Sequence, residues 1–243
     1  MLPPHLSIII PAYNEASRIE TTLRRVAAYL AGKPWPGEII VVVDGGTDDT
    51  GSVARRTAES IPHVTVLDNE CNRGKGYSVR RGMLEGRGEA LLFSDADLSM
   101  PIEQADRLLA ALDGGCDVAI ASRALPGSSA EVAPPWWRES MGRAFNWVVR
   151  GLGLAEARDT QCGFKAFRRD AARRIFERQQ IDRYAFDVEA LWIARRLGCR
   201  IAEVPIAWIS HPESRVHPLR DASRMLVDLG RIRLNDARGA YRP

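Results

Sequence analysis

Leu91-Leu92-Phe93-Ser94-Asp95-Ala96-Asp97-Leu98-Ser99 decides how the rest of this sequence is read. Its apolar part reads as a buried strand, and it ends on carboxylates at i and i+2. In extended backbone those two side chains point to one side. Two like charges at the open end of a buried strand repel each other, and they persist most easily with something positive between them. A hard divalent cation held by one or two carboxylates, with phosphate oxygens in its other positions, fits Asp95 and Asp97. The alternative is that both aspartates cap the turn after the strand.

Working outward, residues 6–10 are apolar and mostly β-branched, a strand buried on both faces, and Pro11 is predicted to stop it. Residues 38–43 repeat the pattern, and 64–67 and 118–121 are shorter versions. Helices are expected between them. One runs from a Ser17 cap to about residue 31, and one follows the glycine-containing loop 44–50 to about residue 60. Another opens at Asn72-Arg73-Gly74-Lys75-Gly76, and a fourth has Pro101 at its start. Strand and helix in alternation predict a parallel sheet covered by helices. Sites in such sheets sit beyond the carboxyl ends of the strands. The loop after the first strand, the Asp44 loop and the Asp95/Asp97 turn all fall on that edge.

After Arg123 the rhythm breaks. Residues 124–137 contain Pro126, Gly127, Pro134, Pro135 and Trp136-Trp137 and are predicted to form a mobile loop. Residues 140–149 read as helix, and Asp159-Thr160-Gln161-Cys162-Gly163-Phe164-Lys165 as a polar strand. Helices follow from about residue 170 and over 187–197, then one last strand over 201–209. Between Arg220 and Arg238, Ala222, Met225, Leu226, Leu229 and Ile232 recur at helical spacing. Arg220, Arg224, Arg231, Arg233, Arg238 and Arg242 accompany them. Such a basic amphipathic helix either packs on the domain or lies on a membrane surface.

With 243 residues, 45% of them apolar, the chain is long enough for one large α/β domain. A net charge of +3 is too small to argue for nucleic acid. Cys71, Cys116, Cys162 and Cys199 lie far apart, which suggests neither a zinc site nor a disulfide framework, so a reducing cytoplasm is the expected compartment. Residues 1–5 lack the pattern of a signal peptide, and no run of about 18 apolar residues is present to span a bilayer. Pro11-Ala12-Tyr13-Asn14-Glu15 stands where a dinucleotide fold carries G-x-G-x-x-G, which argues against a dehydrogenase. Gly74-Lys75-Gly76 is not a Walker loop. Its amides and Lys75, at a helix N-terminus, can still approach phosphate, or the glycines simply make a tight turn.

Four segments in order carry a resemblance: Ile10-Pro11-Ala12-Tyr13-Asn14-Glu15, Val43-Asp44-Gly45-Gly46-Thr47-Asp48, Asn72-Arg73-Gly74-Lys75-Gly76 and Asp95-Ala96-Asp97. Together they resemble the inverting glycosyltransferases of family 2. That family implies a GT-A fold, a mostly parallel Rossmann-like sheet flanked by helices, with a nucleotide-sugar donor and a metal at the D-x-D. In the second half, Asp159 to Lys165, Phe186-Asp187-Val188-Glu189, Glu203-Val204-Pro205-Ile206 and Trp208 resemble the dolichyl- and polyprenyl-phosphate β-glucosyltransferases. Many relatives read Asp-Asp-Gly-Ser where this chain has Val43-Asp44-Gly45-Gly46, and the eukaryotic glucosyltransferases begin with a membrane anchor that has no counterpart here.

The resemblance implies a single domain over 1–243, with a nucleotide-sugar half (1–122) and an acceptor half (123–243) ending in the amphipathic helix. Pro11, Ala12, Tyr13, Glu15 and Asp44 would hold the nucleoside. Lys75, Asp95 and Ala96 would sit at the donor, and Asp95 and Asp97 would bind Mg²⁺ or Mn²⁺ across the diphosphate. Arg123, Arg138 and Arg143 would receive the acceptor phosphate. Asp187 and Glu189 either orient a substrate, act as base toward a hydroxyl acceptor, or only cap a helix. The expected reaction is transfer of glucose from UDP-glucose to a dolichyl or polyprenyl phosphate, by a peripheral protein on the cytoplasmic membrane face. GDP-mannose as donor, a saccharide hydroxyl as acceptor, or a non-catalytic nucleotide-sugar-binding protein remain as alternatives.

Overall fold

The computed structural model describes residues 4–132, 136–209 and 218–242, the side chains of 136–139 and 218–222 excepted. Its strands are β1 (Leu6–Ala12), β2 (Gly37–Val43), β3 (Val64–Asp68), β4 (Ala90–Ser94), β5 (Val118–Ser122), β6 (Ser129–Val132), β7 (Phe164–Arg168), β8 (Ile201–Pro205) and β9 (Ala207–Ile209). Its helices are α1 (Ile19–Ala31), α2 (Thr50–Ala58), α3 (Lys75–Glu85), α4 (Ala105–Asp113), α5 (Trp136–Gly151), α6 (Arg169–Arg178), α7 (Phe186–Arg196) and α8 (Pro218–Ala237).

Seven strands form one sheet in the order β3-β2-β1-β4-β7-β5-β8, parallel except for β7. Side chains alternate across it, so each buried strand feeds two cores. Ile9, Val42, Leu91, Phe93, Ile120 and Phe167 pack on the face covered by α3, α6, α7 and α8. Ile8, Ile10, Val41, Leu92, Ala119 and Ala166 pack on the face covered by α1, α2 and α4. α3 lies close because Gly82 faces Ile9 where any Cβ would collide.

Several expectations need correction. β1 does not stop at Pro11, which pairs with Val42 inside the strand. Pairing with β4 ends at Ile9, and Ala12 carbonyl faces the β2 side, where it accepts from Asp44 N–H. Backbone alternation turns position 11 toward the unpaired side, where a missing N–H breaks no ladder bond. α1 begins at Ile19 with no side-chain cap, rather than at Ser17. The strand predicted over residues 159–165 is β7, which starts five residues later and ends three later; residues 159–163 are the loop that leads into it. The predicted last strand is two: β8 joins the main sheet, while β9 leaves it to pair with β6. β6 lies inside the segment expected to be a loop. Residues 1–122 and 123–243 share one sheet. β7 comes from the second and is inserted between β4 and β5 of the first, pairing Phe93 with Lys165 and Ile120 with Lys165.

That insertion positions the site. Because β7 runs backwards, its start lies at the carboxyl edge of the other strands. The loop 159–163 is thereby brought beside the turn that follows β4.

Candidate active site

Asp95 and Asp97 lie just past β4 in a turn with three fixed points. Asp97 Oδ1 accepts from Ser99 N–H at 2.9 Å, and Leu98 N–H donates to Asp95 carbonyl at 3.2 Å. Leu98 has φ +47°, a left-handed conformation that costs a non-glycine residue energy and recurs at functional turns. Thr22 Oγ1 holds the turn from α1 by donating to Ala96 carbonyl at 2.6 Å. On the β7 side Gly163 abuts the Asp95 carboxylate so closely that any Cβ there would overlap it.

Lys75, the first residue of α3, reaches Asp95 Oδ1 at 2.5 Å. Burial works against its charge, but Asp95, Asp187 and Asp97 together outweigh that and hold its pKa above the ordinary lysine value. Beneath it Lys165, wholly buried in β7, donates to Asp187 Oδ1 and to Cys162 carbonyl. Burial pushes the Asp187 carboxyl upward, and Lys165 and Lys75 only partly offset this. Burial also pushes the Cys162 thiol up to about 12, so the sulfur stays neutral.

The carboxylate pair suits a hard cation that completes its shell with phosphate and water. Among the described residues no three His, Cys, Asp or Glu gather as a self-sufficient metal cage. The ammonium at Asp95 is a stand-in positive charge at the position the pair calls for. The residues therefore fit Mg²⁺ or Mn²⁺ brought in with a diphosphate.

The other predicted residues divide. Tyr13 stands at the rim, 40% exposed. Its loop is tied to the Asp44 loop: Asn14, at φ +54°, accepts from Thr47 N–H at 2.7 Å, and Glu15 N–H donates to Thr50 Oγ1 at 2.7 Å. Asn14 is an organising residue the sequence reading passed over; its signal is the motif itself, since a short amide side chain tolerates a left-handed turn. Asp44 is buried, and its oxygens accept from Asn69 Nδ2 at 2.8 Å, Arg73 N–H at 2.9 Å and Gly74 N–H at 2.8 Å. Its carboxylate shapes the loop that presents Lys75. Gly74 needs φ +113° there and packs on Asp182 carbonyl.

Asp187 lies next to the acidic turn but buried in its ion pair, not open to a reacting atom. Glu189 is a correction. It is fully buried on another side of α7, and accepts from Gln180 and Ile181 N–H at 3.1 and 2.8 Å and from Tyr241 Oη at 2.5 Å. Residues two apart on a helix point in nearly opposite directions, so the two carboxylates of α7 cannot share one task. Glu189 anchors Tyr241, just after α8.

Arg123, at the end of β5, is locked to Asp159 in a fork, with Nε to Oδ2 at 2.7 Å and Nη2 to Oδ1 at 2.9 Å. Asp159 is itself held by Glu203, which accepts from Asp159 N–H at 3.1 Å. Arg143 is exposed on α5. The side chains of Arg138, Trp136 and Trp137 lie outside the described residues, as do Pro134 and Pro135. Burial alone would raise the Asp159 carboxyl, but Arg123 prevails and holds it below the usual range. A depressed carboxylate contributes stability above its unfolded pKa that is lost as pH falls through the folded value. Asp159→Asn is therefore expected to cost about 3 kcal/mol near neutral pH. The penalty should shrink once the medium is more acidic than the ordinary carboxylate range. Urea unfolding of both proteins across that range checks it; a pH-independent penalty contradicts the ion-pair account.

A depression of about 390 Å³ lined by Glu89, Asp117, Arg168, Arg169 and Arg174 sits at the opposite, amino-terminal edge of the sheet. Arg168 and Arg169 there donate to the carbonyls of Cys116 and Gly88, so they tie the bottom of the fold together and stand far from the carboxylate turn.

Residues 7–176 match the family described as glycosyl transferase family 2. This chain belongs to glycosyl transferase family 2. As a family 2 glycosyltransferase it is an enzyme, and its relatives narrow the likeness. It is 38% identical to a dolichyl-phosphate beta-glucosyltransferase of Drosophila melanogaster, over 98% of this chain and 77% of that one. It is 33% identical to the Homo sapiens protein of the same name, with the same coverage. Among solved structures, glucosyl-3-phosphoglycerate synthase from Mycobacterium tuberculosis in complex with UDP superposes with a TM-score of 0.68 at 21% identity, over 99% of this chain and 81% of that one. The same synthase with Mn²⁺, UDP and glucosyl-3-phosphoglycerate gives 0.65 at 20% identity, over 96% and 79%. At that identity the likeness speaks for the fold, a GT-A glycosyltransferase sheet with helices on both faces.

Proposed function

We propose that this glycosyltransferase moves a glucosyl group from UDP-glucose to a dolichyl or polyprenyl phosphate, with inversion, using Mg²⁺ or Mn²⁺, at the cytoplasmic face of a membrane. The observation that carries this reading is near full-length similarity, at 31–38% identity, to proteins named dolichyl-phosphate beta-glucosyltransferase. The fold neighbours with UDP and Mn²⁺ support the donor base and the metal.

Asp95 and Asp97 would hold the cation, which supplies Lewis-acid stabilisation of the departing diphosphate. Lys75, at the N-terminus of α3, adds a positive charge where the diphosphate collects negative charge. Tyr13 and its loop, braced by Asn14 and Thr47, would flank the nucleoside. A lipid monophosphate is largely ionised at neutral pH, its second pKa being about 6, so the acceptor needs positioning more than it needs a base. Arg123, held rigid by Asp159, together with Arg138 and Arg143 of α5, would receive it. The placement of Asp187 and Glu189 in buried hydrogen bonds accords with a reaction that calls on no carboxylate base.

A lipid acceptor calls for a surface contact. Among the described residues no helix is long and apolar enough to cross a membrane. On α5, Trp147 is 78% exposed and Met141 is also exposed; on α8, Leu226, Val227 and Leu234 are exposed beside Arg224 and Arg231. Arg233 of α8 donates to Leu152 carbonyl just after α5, so the two helices are neighbours. Exposed apolar side chains among arginines suit an interfacial contact with anionic lipid.

The test is a panel of nucleotide sugars against polyprenyl phosphate in vesicles, with and without chelator. UDP-glucose should be the best donor, the product should be a glucosyl phospholipid, and chelator should abolish its formation. A preference for GDP-mannose, transfer only to a saccharide, or full activity in excess chelator would each refute the corresponding part.

A further inference from the structure

We propose that Lys75 keeps the divalent cation's place, its ammonium occupying the Asp95 carboxylate until nucleotide draws it away, so that metal and diphosphate bind cooperatively. This rests on the reading of Asp95 and Asp97 as the cation pair, and adds to it the order and coupling of binding.

Four observations lead there. First, Lys75 Nζ already lies 2.5 Å from Asp95 Oδ1, and neither side chain is more than 30% exposed. A cation placed on that oxygen meets an ammonium at ion-pair distance, and like charges so close repel strongly. Second, Asp95 has little room to turn away, because its Oδ2 already lies against Gly163. The lysine has to move instead. Third, it is able to. Its backbone is pinned, with Gly74 against Asp182 carbonyl and Gly76 against Ile181 carbonyl, but its four-carbon stem is flexible. Lys165 is different: fully buried and bonded to both Asp187 and Cys162, it is a fixed charge. Fourth, the residue type fits. Of the 34 basic residues only Lys33, Lys75 and Lys165 are lysines, and two of the three stand at this site. An ammonium is a point charge that exchanges partners, whereas a guanidinium grips a carboxylate as a two-pronged fork.

The charge balance gives the direction. Asp95, Asp97 and Asp187 supply three negative charges and Lys75 and Lys165 two positive, which leaves one net negative charge. A lone divalent cation finds little uncompensated charge. A nucleoside diphosphate gives Lys75 a new partner and frees Asp95 at the same moment. Each ligand then raises the affinity of the other by the same factor.

The experiment measures Mn²⁺ binding by paramagnetic resonance, and UDP binding by calorimetry, in the wild type and in Lys75→Met. In the wild type, saturating UDP should tighten Mn²⁺ by about tenfold or more. In Lys75→Met, Mn²⁺ alone should bind about tenfold tighter than to the wild type, while UDP in excess Mn²⁺ should bind weaker. Opposite changes in two affinities are not the signature of a damaged fold, which would weaken both. Should Lys75→Met not fold, Lys75→Gln replaces it. Equal or weaker Mn²⁺ binding in the folded variant overturns the placeholder. The cation-pair reading is judged separately: it fails if Asp97→Ala binds Mn²⁺ with UDP as well as the wild type does.

Discussion

Asp97→Ala is expected to lower glucosyl transfer on the order of a thousandfold while leaving the protein folded. The two halves of that expectation have separate causes. In the folded state Asp97 makes a single described hydrogen bond, to Ser99 N–H, and it is only half-buried. Losing that bond costs about 1 kcal/mol, a small part of the stability of a domain this size. In the reaction, by contrast, half of the carboxylate pair is gone. The diphosphate must then leave with its charge less well compensated, and stabilisation of a developing charge is commonly the largest single contribution to a rate. Initial rates at saturating Mn²⁺, read beside a thermal melt by circular dichroism, measure both. A folded variant within tenfold of the wild-type rate would remove Asp97 from the chemistry.

The second large effect concerns stability. Lys165→Met should destabilise the protein by about 3–5 kcal/mol, because it strands the Asp187 carboxylate in the core. Asp187 is 4% exposed, and its described side-chain partner is the Lys165 ammonium. Removing both charges, in Lys165→Met with Asp187→Leu, should recover most of the loss, since a buried ion pair exchanged for apolar groups of similar size is often neutral. The deficit of the single variant should also depend on pH. Burial already raises the Asp187 carboxyl, and without Lys165 it rises further. A raised folded pKa favours the fold below the unfolded pKa, and that benefit is lost as pH rises through the folded value. The single variant should therefore approach the wild type in mild acid and fall behind it near neutrality. Denaturant unfolding at both conditions decides; a double variant no better than the single one would show that packing, not charge, sets the cost.

These two residues illustrate what was legible beforehand and what was not. Asp97 was legible because its signal is local: an apolar strand, a carboxylate, one spacer, a second carboxylate. Lys165 was not. In sequence it is one charge in a stretch that reads as a polar strand, and no periodicity marks it as buried. Its partner is 22 residues away on α7. Asp44 and Glu189 were located, but a motif reports which residue is present and not which groups its oxygens meet. Their partners, the N–H groups of Arg73 and Gly74 for one and of Gln180 and Ile181 with Tyr241 for the other, come together only in the fold.

What the order of residues determined alone is the alternation of buried strands and amphipathic helices, the edge on which the loops gather, and the carboxylate pair at that edge. Those follow from short-range chemistry: side-chain periodicity, turn residues, and charge at the end of an apolar run. The tertiary structure decided that β7 enters the sheet backwards, that Gly163 is thereby pressed on Asp95, and that Lys75 covers the same carboxylate. Strand direction and charge pairing depend on contacts between segments that are remote along the chain, and such contacts exist only once the chain has closed on itself.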